Sequence, residues 1–270
     1  MDVFRRSDPI DAERRRWLVG LGAGASALAL GGCASAPPTA DEADRLALSA
    51  WARATDLEGL APSGPWVHRR YGNRHPTRYR ATEREGRPAL HALSESGNST
   101  LRLPLQPQAL TGGARLAFSW WVPALLPHTD LRTAEADDAV ARVILTFDGD
   151  RSHWSRRDHM LSELAQIVTG EPLPDATLMY VWDDRYPVGS VIDNPHTRRI
   201  RKLVVQSGTQ GLGRWMDHER DVVADHRQAF GADPGALTGL GLMTDSNNTR
   251  ATAQAWYGPL RLRQPRTAPA

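Results

Sequence analysis

The sequence predicts a mainly β protein: an antiparallel β-sandwich, jelly-roll-like, with two or three inserted or flanking helices. Three observations carry that expectation. Short apolar segments either alternate with polar residues or run continuously, as strands buried on one or both faces do. Gly, Pro and Asn punctuate them. The helical stretches do not alternate regularly with the strands, which argues against a parallel βαβ architecture. At 270 residues, 40% hydrophobic and 24% charged, the composition is that of an ordinary globular protein, and no internal repeat is visible.

Residues 13–33, "ERRRWLVGLGAGASALALGGC", have the layout of an export signal. Arg14–Arg16 precede an apolar run, Trp17–Leu30, and then small residues; the run is too short to cross a hydrocarbon core of about 30 Å. "RRRWL" resembles the twin-arginine pattern at Arg14, Arg15 and Leu18, with Trp17 where Phe is usual, so twin-arginine and general secretory export both stay open. "LGGC" resembles a bacterial lipobox, and Cys33 is the single cysteine of the chain. Lipidation accounts for a lone cysteine in an exported protein. The expected organisation is an export signal over 1–32, a lipidated Pro- and Ala-rich tether over 33–44, one β-sandwich domain over 45–264 and a tail over 265–270. Ala34 after the cysteine implies sorting to the outer membrane, facing the periplasm.

That compartment and the charge balance restrict function. The formal net charge is +2, and Lys202 is the only lysine. The first 32 residues hold five Arg against four acids, leaving about +1 on the remainder with no polybasic run, so nucleic acid is not an expected partner. An exported protein meets no nucleotide pool, and no nucleotide cofactor is expected. The anticipated partners are the membrane, through lipid on Cys33, and a glycan.

Along the domain, 41–60 reads as a short helix carrying Leu46, Leu48, Trp51 and Ala52. Strands are expected at 88–96, 99–105, 114–122, 139–149, 176–182, 201–208, 237–244 and 253–263; in the last, Leu260 and Leu262 alternate with Arg261 and Arg263. Helices are expected at 152–170, with Leu161, Leu164 and Val168 on one face and Gly170 as C-cap, and at 213–231, with Trp215, Val222, His226 and Phe230 near one another and Gly231 at the end.

These segments carry a resemblance. "TRY" (77–79), "FSWWV" (118–122), "DDAVARVILTF" (137–147), "LMYVW" (178–182), "VVQSG" (204–208), "GRWMDHERDVVADHRQAFG" (213–231), "GLMTDSNNT" (241–249) and "AWYG" (255–258) together resemble the bacterial family known as domain of unknown function 3047. The resemblance covers nearly all of the mature chain. It implies an architecture whose strand order is similar to carbohydrate-binding β-sandwiches, and it implies no activity. The family's typical loop reads Thr-Asp-Thr-Asp-Asn-Thr; here Ser246 and Asn247 stand at its middle positions and one carboxylate is gone.

Several residues are candidates for a site. Asp245, Asn247, Asn248 and Thr249 gather oxygens in one loop, which admits three readings: a hydrogen-bonded turn, part of a polar or sugar-binding rim, or a fragment of a Ca²⁺ site needing ligands from elsewhere. The expectation is no metal and no cofactor, with Ca²⁺ kept as an option. Asp137 with Asp138, and Asp183 with Asp184 after Trp182, are carboxylates at strand ends; such pairs serve glycoside hydrolysis when suitably spaced, and more often simply end strands in water. Of nine Trp, Trp121 and Trp182 are the candidates for stacking on a sugar, although most Trp in a sandwich fill the core. Adjacent Trp120 and Trp121 must point to opposite faces of their strand. His218, Asp221 and Asp225 would share a helix face but lack the second His of a zinc motif. "QSGTQGLGRW" (206–215) lacks dinucleotide spacing, and no nucleophile elbow is present.

The combined expectation is a non-catalytic envelope lipoprotein binding a glycan or other polar ligand. The alternatives are a glycan-acting hydrolase using paired carboxylates and a purely structural envelope lipoprotein.

Overall fold

The computed structural model describes residues 45–71 and 74–265, all within one compact unit, Pro38–Ala270. The export signal, Cys33, the tether and residues 266–270 lie outside the described residues. Two seven-stranded sheets form a β-sandwich. The first contains β1 (Asp56–Leu57), β3 (Arg78–Arg84), β4 (Arg87–Glu95), β6 (Arg115–Trp121), β11 (Trp215–Asp221), β13 (Thr252–Tyr257) and β14 (Arg261–Arg263). Their order is β1-β14-β6-β13-β4-β3, with β11 also paired to β6. The second contains β2 (Val67–Arg70), β5 (Ser99–Gln108), β7 (Arg142–Asp148), β8 (Ala176–Asp183), β9 (Val191–Asp193), β10 (Ile200–Ser207) and β12 (Ala236–Met243), in the order β2-β5-β12-β7-β8-β10-β9. Most pairs are antiparallel as the sequence predicts; β8 with β10 and β1 with β14 are parallel.

The expected strands all form, because alternation or continuous apolarity matches one- or two-sided burial. The inner faces meet through stacked Phe118 and Tyr180, whose centroids are 5.5 Å apart, and through Trp120 against Trp182. The outer face of the second sheet is buried too. The chain between β6 and β7 lies over it, so Leu131 and Ala139 pack on Val181, Ile192 and Val204. That second layer sets up the site described below. The segment read as one strand over 253–263 is two, β13 and β14, broken at Gly258–Pro259. Gly258 donates its N–H to Ser119 O at 2.9 Å, and a Cβ there would stand 2.1 Å from Ser119 Oγ.

The described helices include α1 (Ala50–Ala54), α2 (Arg156–Thr169) and α3 (Val222–Phe230), with a single 3-10 turn, Arg151–His153, leading into α2. In α2 Gly170 is the left-handed C-cap, as expected, and Ser155 with Asp158 closes a capping box. Its expected apolar face is corrected: Leu164 is 53% exposed, and the buried positions are Asp158 and Ser162. The helix expected over 213–231 is also corrected. Its first half is β11, paired residue for residue with β6 from Trp215↔Trp121 to Asp221↔Arg115. Helix begins only at Val222, where the Asp221 carboxylate caps Ala224 N. Satisfying the open hydrogen bonds of β6 outweighs the local helix preference of "WMDHERD". His218, Asp221 and Asp225 therefore share no helix face. Strands β1, β2, β3 and β9 were not anticipated; they are short or rich in arginine and lack a sustained apolar pattern.

Candidate functional site

The loop at the end of β12 crosses from one sheet to the other, since β12 belongs to the second sheet and β13 to the first. A crossover at the rim of a sandwich leaves backbone groups without ladder partners, and polar side chains must supply them. Thr77 Oγ1 donates to Thr244 O at 2.7 Å, and Thr244 Oγ1 donates to Val140 O at 2.8 Å. Ser246 N donates to Gly97 O at 3.0 Å, and Ser246 Oγ lies 3.0 Å from Ser94 Oγ. Asp138, itself buried, accepts from Asn248 N, Thr249 N and Thr249 Oγ1. Asp138 is thus a clamp for the loop.

Asp245 points the other way, onto the outer face of the second sheet. It is 2% exposed. Its Oδ1 accepts from Ala139 N and Arg142 Nε, and its Oδ2 from Arg142 Nη2, all at 3.0 Å. Arg142 Nη2 also donates to Asp137 Oδ1 at 3.0 Å, and Lys202 Nζ donates to Asp137 Oδ2 at 2.5 Å and to Leu131 O at 2.6 Å. Two carboxylates and two cations therefore alternate, Asp245–Arg142–Asp137–Lys202, in a chain whose formal charges cancel. Burying four charges is tolerable only with such complete pairing.

Burial sets their proton affinities. It raises the Asp245 carboxyl to about 6 against the pull of Arg142, so the group is ionised at neutral pH. Burial also acts to raise Asp137, but Arg142 and Lys202 outweigh it and hold Asp137 below the usual carboxylate range. Lys202 is lowered to about 8, by burial first and by the Arg142 charge second. Arg142 is raised: the two carboxylates outweigh its desolvation.

This charged chain floors a cleft of about 460 Å³, within the roughly 300–1,000 Å³ typical of small-ligand sites. Tyr71, Met179 and Met243 give it apolar walls, while Asn98, Asn194 and Asn248 contribute amides. Residues from β5's leading turn, the β6–β7 connection, β7, β8, the β9–β10 turn and the β12–β13 loop converge here. Most polar atoms are already engaged. Asn248 Nδ2 donates to Ala134 O, Asn194 Oδ1 accepts from His196 N, and Tyr71 pairs with Thr100 Oγ1. Two are not. Asn98 Oδ1 is buried without a partner, and Arg142 Nη1 reaches only the Met179 thioether at 4.0 Å.

The anticipated site residues thus divide. Asp137, Asp245 and Asn248 line one cleft. Thr249 belongs to the Asp138 clamp, and Asn247 Nδ2 donates to Asn248 Oδ1. Asp183 and Trp182 are corrected to structural roles. Asp183 is buried and caps Arg185 N and Tyr186 N, and Trp182 is 1% exposed in the core with Nε1 donating to Gly208 O. Trp121 stands apart, on the outer face of the first sheet. Trp215, Trp121 and Trp256 face one another in register on adjacent strands, followed by His91. There the Arg84 guanidinium lies 3.5 Å from the centre of the Trp121 ring, and His91 stacks on Trp256 at 4.3 Å. The Trp121 face is therefore covered and offers no sugar platform. As for Ca²⁺, the cation held by the Asp245 carboxylate is the Arg142 guanidinium; among the described residues no cluster of three or more His, Cys, Asp or Glu could hold a metal ion.

Arg142, Lys202, Asn98 and Met179 escaped notice in the sequence. The signal for the first two was present: a cation inside or beside an apolar run, as in "VARVIL" and "RKLVV", must be exposed at an edge or paired in the interior.

Fold and cleft together define a two-sheet β-sandwich with a polar cavity beside the loop that joins its sheets. The chain belongs to the family described as "Protein of unknown function (DUF3047)", which matches residues 64–261. No curated protein matches it. Among solved structures it is similar to the family 11 carbohydrate-binding module of cellulosomal cellulase Lic26A-Cel5E of Clostridium thermocellum, at 7% identity and a TM-score of 0.37, over 78% of this chain and 93% of that one. It is also similar to SGBP-B from a complex xyloglucan utilization locus in Bacteroides uniformis, at 10% identity and a TM-score of 0.31, over 76% of this chain and 49% of the other. An endo-1,4-β-glucanase, CelB2, matches at 12% identity and a TM-score of 0.32, over 78% and 96% of the two chains.

Proposed function

We propose that this protein is a non-catalytic β-sandwich that holds a glycan or similarly hydroxyl-rich envelope ligand in the cleft over Arg142, and that lipid on Cys33 anchors it in the bacterial outer membrane, facing the periplasm. One observation carries the binding reading: a cavity of small-ligand size, floored by a charge-balanced network, keeps a buried acceptor without a partner and a buried donor with only a thioether for one. Unmade hydrogen bonds of buried groups are costly, and a ligand that makes them recovers that cost. Apolar walls beside amides suit a molecule with both C–H faces and hydroxyl rims.

Binding is favoured over hydrolysis because Asp137 and Asp245 share one guanidinium, and the remaining oxygen of Asp137 is taken by Lys202. A general acid and its partner carboxylate must face the scissile bond from the two sides of a substrate, and these two face Arg142 instead. A glycan array probed with the purified chain from residue 34 onward tests the reading: binding without product release is expected, and silence across the array overturns it. Intact-mass measurement of the membrane-extracted protein tests the anchor. A chain starting at residue 33 and carrying acyl mass is expected, and an unmodified Cys33 refutes it.

A further inference from the structure

We infer that the cleft takes an uncharged saccharide, whose hydroxyls accept a hydrogen bond from Arg142 Nη1 and donate one to Asn98 Oδ1; this rests on the binding reading above and narrows it to a ligand class. Three features of the cleft lead there. The first is complementarity of the vacant groups. Arg142 is 3% exposed, and four of its hydrogen bonds run to Asp245 and Asp137, yet Nη1 has only a sulfur at 4.0 Å. Guanidinium nitrogens bond oxygen at about 2.7–2.9 Å when the acceptor is charged, and a thioether is a weak acceptor at best. Asn98 Oδ1 supplies the opposite polarity, an acceptor buried beside the same cavity with no donor. A single hydroxyl serves both, since it donates once and accepts twice.

The second feature is charge. The floor already balances itself: Asp245 and Asp137 against Arg142 and Lys202. The nearby Asp138 carboxylate turns to the far side of the loop and is satisfied by two N–H groups and a hydroxyl. A carboxylate, sulfate or ammonium reaching the floor finds the buried charges there already paired, and the Arg74 that also lines the cleft is exposed and screened by water, so the desolvation goes largely unrepaid. A hydroxyl carries no such penalty. The third feature is shape and surface: Met179, Met243 and the Tyr71 ring offer apolar contact for the C–H faces of a sugar.

The test is calorimetric titration of the chain from residue 34 with two panels. One holds uncharged oligosaccharides (cellobiose, maltotriose, chitobiose, xylobiose), the other digalacturonate, glucosamine and inorganic phosphate. Binding to at least one member of the uncharged panel and none of the charged is expected. Two variants then locate the contacts for that sugar. Asn98→Ala removes the acceptor without adding bulk. Met179→Gln places an amide oxygen where the thioether stands and satisfies Arg142 Nη1 from within. Each is expected to weaken binding about tenfold, the worth of one hydrogen bond, while the urea midpoint of the protein stays put. Tighter binding of a charged probe overturns the uncharged class and leaves the cleft as the site. Affinity unchanged within twofold in both variants overturns the anchor assignment, and silence from both panels overturns the binding reading itself together with this inference.

Discussion

Arg142 is the residue on which the cleft depends. It lies in an apolar strand, and its charge is held by Asp245 on one side and Asp137 on the other. Arg142→Met keeps much of the stem's packing and strands two buried carboxylates with Lys202 as their remaining cation. Removing one partner of a buried ion pair typically costs about 3–5 kcal/mol, and a fall of that size in unfolding free energy at neutral pH is expected by urea titration. The loss should shrink as pH falls toward 6, because Asp245, freed of the Arg142 charge that lowers its proton affinity, takes up a proton in the variant above the pH at which it does so in the unaltered protein, and this removes one of the stranded charges. An undiminished loss at pH 5 would contradict the assigned pairing.

The same carboxyl makes a pH prediction in the unaltered protein. Its pKa in the fold, about 6, lies above its unfolded value of 3.8. Its contribution to stability is therefore fully present below pH 3.8 and is lost as pH rises through 6, by about 3 kcal/mol at 1.36 kcal/mol per unit. Asp137, held low, works oppositely: what it contributes is present above the unfolded value and disappears as pH drops through its depressed one. A carboxyl-carbon NMR titration should show Asp245 changing near pH 6 with no comparable step for Asp137. Neither Arg142 nor its partners were legible as a unit beforehand. Asp137 and Asp245 were visible as single polar residues, but the cation that joins them sits 103 positions before Asp245 in the chain, and spacing in sequence says nothing across that separation.

At the scale of elements, legibility followed the source of each element's stability. Strands buried on both faces, such as β7 with "RVILTFD" and β8 with "ATLMYVWD", announce themselves by composition. Strand β11 does not. "WMDHERD" is charged, offers no apolar alternation and reads as the start of a helix, yet its partner β6 imposes an extended backbone on it. Helix α2 shows a related limit. Its ends were readable because caps are local chemistry, whereas its orientation was not: Met160 and Ile167 stand 61% and 81% exposed beside Leu164. Local chemistry also makes the helix N-terminus testable. Ser155 Oγ accepts from Asp158 N at 3.1 Å, and the Asp158 carboxylate accepts from Ser155 N at 3.2 Å. Ser155→Ala should cost about 1 kcal/mol, read as a lower midpoint in thermal unfolding. Ile167→Gln, at a position that buries almost nothing, should move the midpoint by no more than the ±0.5 kcal/mol usual for surface changes.

At the scale of the molecule, the two ends of the domain support one another. Strand β1 pairs in parallel with β14, Asp56 N donates to Leu260 O at 2.9 Å, and Glu58 N donates to Leu262 O at 3.0 Å. The family match spans 64–261 and so leaves β1 outside and cuts β14 short. The structural unit needs both. Leu260 and Leu262 are fully buried, and burying a leucine contributes about 1.5–3 kcal/mol. A chain ending at Tyr257 loses the pair and so forfeits roughly 3–6 kcal/mol, a large share of the 5–15 kcal/mol that holds a typical domain together. It also leaves β1 and the Arg115–Ala117 stretch of β6 without hydrogen-bonding partners on that side, an open edge that invites aggregation. A chain starting at residue 38 keeps every strand of both sheets. Its urea midpoint should match that of a chain starting at residue 34, while the chain ending at Tyr257 should unfold at markedly lower urea or aggregate. Equal midpoints for the Tyr257 truncation would show that β14 is dispensable and that the family match, rather than the pairing of β1 with β14, marks the true limit of the fold.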